Sequence, residues 1–92
     1  MKVQKKLTIK NKLGLHARPA AMFVALTGKF ESEITVSKGK VEVDGKSIMG
    51  IMMLAAGKGS KILVKAQGRD ANKAIAEIER FLDNQVLEEQ VT

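Results

Sequence analysis

His16 is the only histidine in this 92-residue chain and Pro19 the only proline. Arg18 lies between them, in the run Gly14-Leu15-His16-Ala17-Arg18-Pro19-Ala20. An imidazole can attack phosphorus and later leave again, so it serves as a temporary phosphoryl store. Such a store needs a cradle for the phosphate oxygens. With His16 as a helix cap, Ala17, Arg18 and Pro19 become the first three helical residues. Proline costs little there, because first-turn N–H groups have no acceptor inside the helix. The N–H groups of Ala17 and Arg18 then face outward at the positive end of the helix dipole. Arg18 adds five donors and a fixed charge. A plain surface histidine at a helix cap would have the same local sequence, so both readings stay open at this point. One histidine cannot build a metal cluster, and neither a metal nor a cofactor is expected.

A second stretch, Lys46-Ser47-Ile48-Met49-Gly50-Ile51-Met52-Met53-Leu54, opens with a capping hydroxyl. The Ser47 oxygen can accept a first-turn N–H of a short helix. Ile51 and Leu54 are core candidates. Ile48, Met49 and Met52 are expected to form an exposed docking patch, because methionine adapts to different partners. A phosphate on Ser47 would put about two negative charges beside that patch without unfolding the helix. Lys12, Lys40 and Lys46 are placed on a basic rim that would speed brief encounters with acidic partners. Gly57-Lys58-Gly59 lacks the spacing of a nucleotide phosphate loop and reads as a turn.

The remaining residues must position these two stretches. Val3, Leu7 and Ile9 alternate with polar residues, which predicts a half-buried strand with Lys5 as an exception on the apolar side. Ala17 to Leu26 predicts a helix, and its apolar run singles out no face. Phe30, Ile34 and Val36 alternate in a second strand. Gly39 turns the chain into a third strand carrying Val41 and Val43, and Gly45 turns it again. Ile62 and Val64 mark a fourth strand. Ala71, Ala74, Ile75, Ile78 and Leu82 recur at three- and four-residue steps, which predicts a helix ending near Gln85 with Asp70 as its cap. The order is β-α-β-β-α-β-α, with one face of the sheet meeting the helices.

Composition narrows the function classes. The chain has no cysteine, so it holds no disulfide or thiolate site. No apolar run is long enough to span a membrane, and the cytoplasm is the expected location. Net charge is +6, with 13 Lys/Arg against 4 Asp/Glu in residues 1–65 and 3 against 6 in residues 66–92. The basic part could meet an acidic protein or a nucleic acid. With no Trp or Tyr and three Phe in apolar settings, base stacking is disfavoured.

Both motifs, in this order and in a chain of this length, resemble the HPr family, the histidine-containing phosphocarriers of the bacterial phosphoenolpyruvate-dependent sugar phosphotransferase system. The resemblance implies an α+β open-faced two-layer sandwich, a four-stranded antiparallel sheet covered on one face by three helices. Residues 1–88 form a single domain in this reading, and 89–92 a frayed C-terminal tail. The resemblance further implies that His16 takes a phosphoryl group on Nδ1 from phosphorylated enzyme I and passes it to IIA domains of sugar permeases. Arg18 and the Ala17 N–H would help to hold it. An ATP-dependent HPr kinase/phosphorylase would modify Ser47, and that form would assist a catabolite-control transcription regulator. Such a protein is a carrier with a covalent intermediate and not an autonomous enzyme. A monomer is expected, with no membrane insertion and no direct contact with nucleic acid. Two other readings compete: a regulatory protein-binding module acting through Ser47 and the methionines, and a basic nucleic-acid-binding domain.

Overall fold

Period-two alternation needs a covered face on one side of a sheet, and period-3.6 stripes need something to cover. The structure, a computed structural model, satisfies both demands with seven elements and describes the backbone of residues 1–91 and the side chains of residues 1–85. In chain order these are strand β1 (Lys2–Thr8), helix α1 (Ala17–Thr27), strands β2 (Glu33–Lys38) and β3 (Val41–Asp44), helix α2 (Ile48–Met53), strand β4 (Lys61–Gln67) and helix α3 (Ala71–Val91).

The sheet order is β1-β4-β2-β3, antiparallel throughout. Register puts the apolar parity of each strand side by side. Leu7 stands opposite Ile62, Val36 opposite both Val64 and Val43, and Ala66 opposite both Val3 and Ile34. A slip of one residue would turn these side chains to the open face, so burial itself holds the register. Lys5 keeps the inward parity, opposite Val64, because its ammonium reaches Glu79 of α3 at 2.7 Å. Lys10 reaches Asp83 at 2.9 Å in the same way. Both pairs are solvent-exposed, worth under about 1 kcal/mol each, and they tie the end of β1 to α3.

The three helices lie on the apolar face. α3 packs on β1 and β4, α2 on β3, and α1 against both other helices. α1 turns Pro19, Ala20, Phe23 and Thr27 inward, a stripe that its apolar sequence left undefined. Phe23 meets Phe81 edge to face at 6.1 Å, the arrangement that ring quadrupoles favour. Thr27 is fully buried, and its hydroxyl donates to the Gly45 carbonyl at 2.8 Å. The end of α1 thereby holds the turn that leads into α2.

Asp70 stands at the cap position of α3, and its carbonyl accepts the Ala74 N–H. Its carboxylate does something else. It accepts the Glu31 and Ser32 N–H groups and the Ser32 hydroxyl, pinning the entry to β2. α3 runs on beyond Gln85. Of the stretch 89–92 read as a tail, residues 89–91 continue the helical backbone, and Thr92 lies outside the described residues.

Candidate functional site

His16 caps α1 in extended conformation (φ −80°, ψ −170°). Its carbonyl accepts the Ala20 N–H at 2.9 Å, which starts the helical ladder. Its ring makes no capping bond and is exposed. Among the described residues, the N–H groups of Ala17 and Arg18 have no acceptor. Arg18 is exposed and joins no ion pair among them. Pro19 is buried and anchors this first turn to the core. Imidazole, two outward amides and a guanidinium therefore share one exposed helix start. That arrangement can receive a tetrahedral anion and leaves its outer side open to a second reactant.

The loop before His16 is held from below. Gly14 has φ +69°, and a Cβ there would lie 2.3 Å from the Ala56 carbonyl oxygen. The Leu15 N–H donates to that same oxygen at 2.9 Å, and the Leu15 side chain is buried. The loop therefore rests on the segment that follows α2. Ala55 there is the only non-glycine residue with positive φ among those described, at 50°. Lys38 donates to the carbonyls of Leu54 and Ala55 at 3.3 and 3.1 Å and holds this tight turn closed.

α2 links the two motifs. At its start the Ser47 hydroxyl accepts the Gly50 N–H at 3.1 Å, as its position predicts. Gly50 lets α2 lie close on β3, because a Cβ would meet Val43 and Asp44 within 3.2 Å. Beyond the far end of α2 the chain continues to Ala56, which accepts the Leu15 N–H of the His16 loop. Ile51 and Leu54 are buried, and the outward residues are Ile48, Met49, Met52 and Met53, with Met49 and Met53 each 70% exposed. Met53 and the exposed Leu13 extend the expected patch. The Met53 position was readable, since two residues on from Ile51 is roughly 200° around the helix. Leu13 lies in a loop, where no periodicity marks a face.

The expected basic rim divides. Lys12 and Lys40 are exposed. Lys46 is half-buried, and its ammonium donates to the Phe30 carbonyl at 2.7 Å. Its first task is to close the chain between α1 and β2.

This fold and this site define a class: small two-layer phosphocarriers whose histidine opens a helix. The comparisons with known proteins agree. Residues 3–84 match the family model described as the PTS HPr component phosphorylation site. A phosphocarrier protein HPr of Cupriavidus necator is 48% identical over 73 residues, covering 79% of this chain and 82% of the relative. An HPr-like protein Crh of Halalkalibacterium halodurans is 42% identical over 83 residues, 90% of this chain and 99% of the relative. The crystal structure of HPr-C-His from Thermoanaerobacter tengcongensis superposes with a TM-score of 0.87 at 42% identity, covering 91% of this chain and 94% of that one. The chain belongs to the HPr family. It is a phosphocarrier of the phosphotransferase system, taking phosphoryl groups from enzyme I and handing them to IIA domains.

Proposed function

We propose that His16 is the residue that carries the phosphoryl group. A lone pair of the neutral imidazole, on Nδ1, forms the N–P bond in line as the bond to the donor breaks, and the donor departs with the bonding pair. The Ala17 and Arg18 N–H groups and the Arg18 guanidinium receive the phosphoryl oxygens. Transfer onward to a IIA domain reverses the roles, with the imidazole leaving. The observation that carries this reading is the exposed His16 ring at the start of an 11-residue helix whose first N–H groups have no acceptor among the described residues.

Docking in this reading uses Ile48, Met49 and Met52, with Lys12 and Lys46 at the margin. Enzyme I and the IIA domains approach the same face in turn, which suits a cytoplasmic monomer. No described helix is long and apolar enough to cross a membrane. Ser47 is the regulatory position. An HPr kinase/phosphorylase would place phosphate beside the docking patch, where two added charges repel an acidic partner. The modified form would then serve a catabolite-control transcription regulator. The likeness to Crh, an HPr-like protein, supports this branch of the reading.

The test is direct. The chain is incubated with phosphoenolpyruvate and enzyme I, and an acid-labile phosphate is sought. The expected result is one label per chain, absent from His16→Ala. Undiminished labelling of His16→Ala would overturn the assignment.

A further inference from the structure

We propose that Asn11 is a positioning residue for phosphoryl transfer, acting through Gly14 to hold the His16 loop in register with Ala56. The proposal rests on the reading of His16 as the acceptor. Asn11 is 1% exposed and lies in the bend between β1 and the site. Its Nδ2 donates to the Gly14 carbonyl at 2.7 Å, while its own carbonyl accepts the Gly14 N–H at 3.2 Å. One side chain and one peptide group thus close the Asn11–Gly14 turn from both sides.

The other end of the same side chain shows that this is not ordinary packing. Asn11 Oδ1 is buried with no hydrogen-bond partner among the described residues, the one side-chain atom of its kind there. A buried acceptor without a donor is costly, and an apolar side chain would avoid the cost. The Nδ2 bond to Gly14 is what the amide supplies in return. Gly14 lies close against Ala56 and Gly57, with no space for a Cβ between them. Leu15 is fastened to Ala56 by its N–H, and His16 is the next residue. Three successive constraints therefore run from Asn11 to the reacting ring. A ring displaced by about 1 Å loses in-line alignment, which costs transfer rate far more than it costs affinity.

The experiment uses the full chain as substrate for enzyme I and phosphoenolpyruvate, with the carrier concentration varied. Asn11→Ala is expected to lower the maximal rate about tenfold or more, with a smaller change in the half-saturating concentration, because the α2 patch is untouched and only Lys12 and Leu13 of the docking surface ride on the braced turn. Asn11→Asp supplies a second readout. Ionised, it presents only acceptors to the Gly14 carbonyl; protonated, it again offers a donor. Its rate relative to the parent is expected to rise as pH falls through the aspartate's ionisation. A maximal rate unchanged in Asn11→Ala, or a change confined to half-saturation, would overturn the proposal. If Asn11→Ala does not fold, Asn11→Asp decides, and a rate ratio flat with pH overturns it. Amide exchange at Leu15, read on unphosphorylated protein, is expected to quicken about tenfold in Asn11→Ala. An unchanged exchange rate counts against the brace whether or not His16 is the acceptor. Absence of label on the parent's His16 strikes the acceptor assignment instead.

Discussion

Asp70 joins two parts of the molecule that are distant in sequence. Its bond from the Ser32 hydroxyl, followed by that from the Glu31 N–H, holds its carboxyl below the usual carboxylate range. A carboxylate with a lowered native value stabilises the fold fully above the unfolded value, about pH 4, and stops doing so as pH falls through the native one. The parent should therefore exceed Asp70→Ala in urea midpoint at neutral pH, and the gap should narrow as pH falls below the ordinary carboxylate range. A gap that stays constant with pH would place the contribution elsewhere. The sequence marked Asp70 only as a helix cap, since its partners lie 38 and 39 positions away. Lys46 was opaque for the same reason: its carbonyl partner, Phe30, is 16 positions back. His16 was legible because a cap and its first turn are local.

At the level of elements, α2 carries two separable tasks. Its fold depends on one capping oxygen, so Ser47→Ala should cost about 1 kcal/mol in chemical denaturation. Ser47→Asp keeps an acceptor for the Gly50 N–H and should retain most of that stability while weakening enzyme I binding, a pattern that binding calorimetry beside denaturation would show. Its outer face contributes little to the core, with Met49 and Met53 mostly in solvent. Exchanging both for serine should leave denaturation within about 0.5 kcal/mol and raise the carrier concentration needed by enzyme I several-fold. Unaltered kinetics would remove these methionines from the docking surface. The capping role of Ser47 was readable from the sequence. Membership of Met53 in the outer face was readable too, once Ile51 and Leu54 are taken as core residues, whereas Leu13 sits in a loop that has no period to follow.

Across the whole molecule, the alternating strands and the striped third helix made the layer arrangement legible, because each pattern admits only one buried face. Strand order was not legible from those patterns, since alternation says which side is covered but not which neighbour is adjacent; the antiparallel sheet came from the family resemblance. The centre of the resulting core is Phe23, fully buried against Phe81. Phe23→Ala should cost about 3–5 kcal/mol, enough to lower thermal stability severely in a domain with a narrow reserve. The pairing of Lys2 with Gln67 and of Thr8 with Lys61 also has a temporal meaning. During synthesis, the first strand leaves the ribosome long before the strand that completes its hydrogen bonds. Ala56, the seat of the histidine loop, emerges late as well. A growing chain therefore exposes the His16 segment before Ala56 is there to seat it, so the loop can take up its folded geometry only once most of the chain has emerged.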